Sequence, residues 1–576
     1  MMAAMRLRSV LRWAGLAALC LWAGDGSRAQ GLTPQPENCT VEGTVVRATD
    51  GQPLRRARVQ LIRVQEQRPG PPPGMPQVQA PRPPGRSPVA LTDSQGRFTL
   101  TDVQPGRYRM YVERGGYVRA EYGQRYPNRP GTQLTLDRGQ KVRELLFRMT
   151  PAAVISGRVT DEEGEPVPNA GVQALRQVYQ RGQRTFANSA SVSTDDRGEF
   201  RLFGLAPGKY YLSVSPSGQL LQLQAPMTRE TGSPGEIYAV SFYPGATDPA
   251  RAAPIQVAAG EELSQMNLTL TPQRAVRVRG KILTPPGWEP DAKGRGGLQA
   301  MLLRRGTGGG RGLNMQGDVE QDQMQFEFRN VTAGSYYLMV NASQERRWLN
   351  HVEPLEVGST DVEGVTVAMR PPSEVSGKVR LEGATDVKLE GVRVMFLPEL
   401  EMQGNPGGRV NAEGTFTAQN LSPDTFRVSV QGLPSEFYLK SVRVGAEEFV
   451  ETGVPIPGKA GGQLEIVLSA ASARVEGQVL DGDSLPVAGA YVALAPTAPK
   501  RRANWYYYKS TTTDAAGKFS IAGIAPGEYK LFSWDDVDSG AWQDPEFLAL
   551  YEDRGMSVQL SENSIRAVEL KLLPPR

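Results

Sequence analysis

Over most of the chain hydrophobic and polar residues alternate with a period of two, the signature of strands that bury one face. The alternation is clearest from Thr194 to Tyr210, TDDRGEFRLFGLAPGKY: Phe200 and Leu202 belong to one strand, and Tyr210, Leu212 and Val214 to the next. Turn residues punctuate it. Asp195 can accept a hydrogen bond from its own backbone two residues on, and Gly198 tolerates positive φ. Pro207-Gly208 suits the two central positions of a type II turn. The segment is predicted as turn, strand, turn, strand.

The phrase recurs. Thr92, Asp93, Gly96, Phe98, Pro105, Gly106 and Tyr108 spell it near the start, and Thr513, Asp514, Gly517, Phe519, Pro526, Gly527 and Tyr529 near the end. Two worn copies keep Gly414, Phe416, Pro423 and Phe426, and Phe326, Phe328, Gly334 and Tyr336. Each copy opens on a strand with Gly-x-Val or its equivalent: Gly43 with Val45, Gly157 with Val159, Gly280 with Ile282, Gly377 with Val379, Gly477 with Val479. A glycine inside a strand marks a bulge or the close approach of another backbone. A turn such as Asp161 to Val167 or Asp481 to Val487 follows, and each copy closes on an extended pair such as Ile255 to Val257 and Met266 to Leu270. Roughly seven strands in about 100 residues, with turn signals every 8 to 12, predict a Greek-key β-sandwich. No segment carries a sustained helical period.

A chain of 576 residues is too long for one core. The repeat spacing predicts an all-β tandem array of about five sandwiches: 30–150, with a Pro-rich loop at 69–88 predicted as extended, then 151–272, 273–371, 372–471 and 472–576. The third and fourth are degenerate. Insertions at 219–233 and 291–317, the latter Gly-rich, are predicted as surface loops where recognition could be added.

Residues 1–29 read as a secretory signal: Arg6, Arg8 and Arg12, an apolar run from Trp13 to Ala23, and a small-residue site at Ser27-Arg28-Ala29. Export follows, to the periplasm, the outer-membrane surface or the medium. A lipoprotein reading at Cys20 is weaker, because bulky Leu19 precedes it inside the apolar run. Removal of the signal leaves Cys39 as the sole cysteine, so stability rests on packing rather than an intramolecular disulfide. No transmembrane segment is expected in the mature chain. The net charge of +4 falls to about +1 on cleavage, which argues against nucleic acid as a partner. Charge is uneven: residues 40–130 hold 15 arginines against 7 acidic residues, while the last unit leans acidic. The first unit is suited to an acidic envelope polymer or to an acidic domain of a neighbour.

Gly-x-Val, the Gly-x-Pro-Val turn, Thr-Asp-x-x-Gly-x-Phe and Pro-Gly-x-Tyr together resemble the carboxypeptidase regulatory-like domain. The resemblance implies a transthyretin-like, carbohydrate-binding-like sandwich of seven strands. It is strongest in copies one, two and five, and an array ending in a segment like Trp534 to Leu548 is similar to secreted bacterial proteins. It does not imply peptidase activity, since the zinc-bearing catalytic domain is missing.

His351 is the only histidine, which excludes a two-histidine zinc site, and no HExxH or Cys-x-x-Cys spacing occurs. It is read as an ordinary surface residue before a strand, with no partner that a catalytic triad or dyad would need. The Gly306 to Gly312 run lacks the Lys-Ser/Thr ending of a phosphate loop. No cofactor and no metal site are expected. The most specific binding hint is Trp505-Tyr506-Tyr507-Tyr508 behind Arg501 and Arg502, a possible stacking platform for a sugar ring. The alternative is a strand that buries Trp505 and Tyr507. Asp535, Asp536, Asp538, Asp544, Glu546, Glu552 and Asp553 cluster in the last unit; Ca²⁺ binding or paired-carboxylate hydrolysis stands against a solvated acidic loop. The expected function is non-catalytic binding of a glycan or cell-envelope component, with a protein partner possible. A spacer or adhesin stalk, an accessory partner of an envelope protein, and a carboxylate-based hydrolase are the alternatives.

Overall fold

The computed structural model describes residues 38–574 apart from 65–86, 125, 128, 130, 217–234, 289–296, 307–313, 345–346, 384–386, 399–404, 457–462 and 515. The signal at 1–29, nearly all of the Pro-rich loop, the 219–233 insertion and most of the Gly-rich run lie outside the described residues.

Five hydrophobic cores follow one another, each between two small sheets. In the first, Cys39–Arg47 runs antiparallel to Arg97–Val103 and parallel to Lys141–Met149. The facing sheet pairs Val89–Leu91 with Arg58–Arg63, and that with Gly106–Glu113. Period-two burial holds: Val59 and Leu61 are fully buried, and Phe98 and Leu100 nearly so. The same opening strand, with one antiparallel and one parallel neighbour, recurs as Ala153–Thr160, Pro272–Leu283, Ser373–Glu382 and Ala473–Leu480. The chain is therefore a tandem array of β-sandwiches, including the two degenerate copies.

The repeated phrase now has physical reasons. A Cβ on Gly43 would lie 2.7 Å from the Phe98 ring and would also strike the carbonyl oxygen of Leu145. The register with the parallel strand Lys141–Met149 slips beside it, between Val41 and Gly43. Asp195 accepts from the backbone N–H of Arg197 at 2.9 Å and of Glu199 at 2.8 Å. The buried Thr194 hydroxyl accepts from the Ala170 N–H at 2.8 Å and donates to the Val167 carbonyl at 2.7 Å, tying three turns together.

The Pro-Gly-x-Tyr motif differs from its expected type II turn. Gly208 sits at φ +142°, and Gly106, Gly334 and Gly527 lie between +151° and +157°, well beyond the +80° or so of that turn. The tyrosine explains the geometry: Tyr210 donates its hydroxyl to the carbonyl four residues upstream, Ala206, at 2.7 Å. Tyr108, Tyr336 and Tyr529 do the same to Gln104, Thr332 and Ala525 at 2.8 to 2.9 Å. This is the tyrosine-corner device of β-sandwiches. An arginine lies over each glycine: Arg63, Arg176 and Arg304 come from the neighbouring strand of the same sheet, and Arg501 from the helical turn Pro499–Arg502.

The modules touch. Val118 and Ala152 donate to Thr150 and Gly116 at the joint between the first two, both at 2.9 Å. Glu236–Tyr238, from a late loop of the second, adds a strand to the third module's Pro272–Leu283. The last module reaches back to the first, second and fourth.

Candidate functional site

The aromatic run lies where the second, fourth and fifth modules meet. Pro499–Arg502 forms a single helical turn opened by proline, which suits a first helical position. Trp505–Tyr507 is a 3-10 turn capped by Asn504, whose side chain accepts from the Tyr506 N–H at 3.1 Å. The expected strand therefore starts later, at Lys509–Thr512. The capping asparagine and the crowding of consecutive rings favour the turn.

Each side chain of the run has a packing role. Tyr506 leans on the fourth module's core. Tyr507 is 5% exposed, and burial pushes its hydroxyl up to about 12. Tyr508 belongs to a second core of the last module and donates to the Arg502 carbonyl at 2.9 Å. Trp505 is half-buried, with the Arg181 guanidinium of the second module 5.5 Å from its ring. Arg501 is the fifth module's version of the recurring corner arginine. It donates to the Pro526 carbonyl at 2.6 Å, pairs with Glu451 of the fourth module at 3.0 Å and lies 4.9 Å from the Tyr507 ring. Arg502 pairs with Glu552, which Lys530 also holds at 2.8 Å. All six expected residues converge, and they converge on an intermodule junction.

The acidic cluster divides in the same way. Arg129 of the first module binds Asp536, with Nε at 2.9 Å, and Tyr126 hydrogen-bonds Asp535. Arg184 of the second module binds Asp544 at 3.1 Å and Glu546 at 3.0 Å. Asp544 also caps the short helix Pro545–Ala549. Burial pushes the Asp538 carboxyl up, against the pull of Arg129. Asp536, Asp538, Asp544 and Glu546 thus face arginines of other modules, whereas Glu552 is held within its own. Among the described residues no group of three or more His, Cys, Asp or Glu is placed to hold a metal ion.

Around these contacts the segment after Trp534 builds an aromatic layer on the outer face of the last module's sheet. Phe532 and Trp534 stack at 5.5 Å, with Trp542, Leu548 and Tyr551 around them and Tyr179 of the second module against it. Sequence reasoning missed Tyr126, Arg129, Tyr179, Arg181 and Arg184. The basic excess of the first unit pointed towards Arg129, and nothing in the pattern marked Tyr126; Tyr179, Arg181 and Arg184 lie at the tip of the hairpin Gly171–Gln180 and Gln183–Ser193, beyond the alternation of Val172 and Ala174. His351 lies within the strand Arg347–Val357 rather than before it, with Nε2 3.3 Å from Glu353. Among the described residues no helix is long and apolar enough to cross a membrane.

No curated protein matches the chain. Among solved structures, the Bacillus anthracis TIE protein aligns at 11% identity over 73% of each chain, with a TM-score of 0.14. GBS52, the minor pilin of Streptococcus agalactiae, aligns at 12% over 40% of this chain and 95% of its own, at 0.21. The RrgB pilus protein of Streptococcus pneumoniae aligns at 8% over 74% of this chain and 99% of its own, at 0.15. The family model of the carboxypeptidase regulatory-like domain matches residues 40–150 and 154–271, so the first two sandwiches are carboxypeptidase regulatory-like domains in tandem.

Proposed function

We propose that this protein is an exported, non-catalytic scaffold that binds a glycan or another cell-envelope component on exposed sheet faces and loops. The observation that supports it most is where the chemistry-bearing side chains go. The last module's carboxylates answer Arg129, Arg184, Arg502 and Lys530 instead of facing one another across a cleft. Glycoside hydrolysis needs two carboxyl groups held about 5 to 10 Å apart around the sugar, so binding suits this arrangement better than hydrolysis.

In this reading Arg501, Arg502 and Trp505 to Tyr508 act mainly by joining modules, and ligand contact falls to faces that no other module covers. The spacer or stalk alternative is less favoured, because the last module folds back onto the first two. The test is retention of the full chain on purified envelope polysaccharides and peptidoglycan, with polymer length followed alongside. Retention on one polymer without shortening is expected. Shortening of the polymer, or passage through every column, would sink the proposal.

A further inference from the structure

We propose, as a deepening of the scaffold reading, that the open face of the first module is a binding site for an acidic polysaccharide. A groove of about 410 Å³ lies there, lined by Arg56, Arg58, Glu113, Arg114, Tyr117 and Arg119. Four guanidiniums thus face one carboxylate, and Glu113 pairs with Arg119 at 3.3 Å. The groove is built rather than loose. The Arg119 guanidinium lies 3.8 Å from the centre of the Tyr111 ring, Arg114 lies 5.1 Å from that of Tyr117, and the Tyr117 hydroxyl accepts from Arg47 at 3.2 Å.

The same sheet face continues into an apolar row. Arg58, Gln60 and Ile62 alternate outward, with Leu91 beside Arg58 and Val89 beside Gln60. Ile62, Val89 and Leu91 are 40%, 45% and 65% exposed. The last module shows what an occupied face looks like: by the register of Thr92 against Thr513, Tyr491 and Trp534 take the places of Arg58 and Glu113. There the Trp542 ring covers Tyr491 at 4.3 Å. The first module keeps arginines there instead, and no other described residue stacks over them as Trp542 does over Tyr491.

Arg56 is a second, independent sign. Its backbone sits at φ +57°, with its N–H on the Thr92 carbonyl. The corresponding donors to Thr194 and Thr513 are Asn169 and Gly489, also at positive φ. Asn and Gly accept that conformation easily, whereas arginine does so under strain. Strain kept at one copy of a repeat, with its side chain in a groove, points to function. Planar guanidinium forks match carboxylate and sulfate groups, while tyrosine rings and aliphatic side chains suit the C–H faces of sugars. An acidic polysaccharide carries both chemistries on one polymer.

The test uses the full chain with three probes: polygalacturonate for carboxylate, heparin for sulfate, and a DNA duplex as a polyanion without exposed sugar faces. Wild-type protein should bind one of the two polysaccharides more tightly than the duplex, with affinity falling as salt rises. Arg58→Glu/Arg114→Glu/Arg119→Glu should weaken that binding on the order of a hundredfold. Arg56→Gly should weaken it while raising the melting temperature. Arg566→Glu, an exposed reversal on the last module, should change nothing. Wild-type affinity in the triple variant, an equal loss in Arg566→Glu, or preference for the duplex would overturn the inference. Binding to a neutral envelope glycan but to neither acidic polymer would overturn it and leave the scaffold reading standing; binding to no envelope polymer would sink both.

Discussion

Replacing Tyr507 by alanine separates a junction from a sugar platform. The side chain is 5% exposed, in edge contact with Tyr506 at 6.1 Å and close to Arg501. A buried tyrosine removes about 150 to 250 Å² from water, which at ~25 cal/mol per Å² is on the order of 4 to 6 kcal/mol. Aromatic-to-alanine changes in cores cost about 3 to 5 kcal/mol, so the two routes agree. A domain of this size loses roughly 4 to 8 °C of melting temperature per kcal/mol. The transition of the last module should fall by more than about 12 °C. Trp505→Ala, at a half-buried ring, should cost about half as much. Calorimetry of the full chain, with limited proteolysis to assign each transition to a module, reads the effect. An exposed platform predicts the opposite ranking: Trp505→Ala would abolish glycan retention, and Tyr507→Ala would leave melting within about 2 °C of wild type. That second pattern would refute the junction argument.

Three further outcomes are expected. Tyr210→Phe should destabilise the second module by about 1 kcal/mol by removing the hydroxyl that serves the Ala206 carbonyl, whereas Phe426→Tyr should stabilise the fourth by a similar amount; urea melts of the two variants should move in opposite directions. Arg129→Glu with Arg184→Glu should free the last module from the first two, seen as a larger radius of gyration in small-angle scattering, and Asp536→Arg should partly restore the compact form. For Glu552 burial raises the carboxyl, but hydrogen bonds from Lys530 and Arg502 outweigh it and hold the group below its ordinary 4.5. Its contribution is therefore present above about pH 4.5 and lost as pH falls through the lower folded value. Glu552→Gln should cost up to about 1 kcal/mol at pH 7, and the gap to wild type should close as pH falls through that lowered value; melting curves from neutral to acid pH check it.

Fold class could be read from local pattern because each sandwich is specified by neighbours in sequence. Phe200 and Leu202, Asp195 and Gly198, and Tyr210 act within a few residues of themselves, and their spacing alone dictates strand and turn. Even the degenerate copies kept enough alternation, and Phe326 and Phe328 still anchor the third core. The conformation of the Pro-Gly turn was misread, because its φ is set by the tyrosine hydroxyl reaching back and by an arginine from the neighbouring strand or, at Gly527, from a helical turn.

The candidate site was legible only as a set of residue types. Trp505 to Tyr508, Arg501 and Arg502 stand out in the sequence, but whether a ring faces water or a neighbouring module depends on partners from 50 to more than 300 residues away. Arg181, Glu451 and Tyr179 meet them only after the chain folds back. The arginines of the first module are likewise visible as an excess of charge, while the groove they share with Tyr117 needs two sheet strands and the loop after Glu113 brought side by side. Local alternation determines which residues are buried in each sandwich; contacts between sandwiches, made by long side chains with no periodic signature, decide which surfaces stay open.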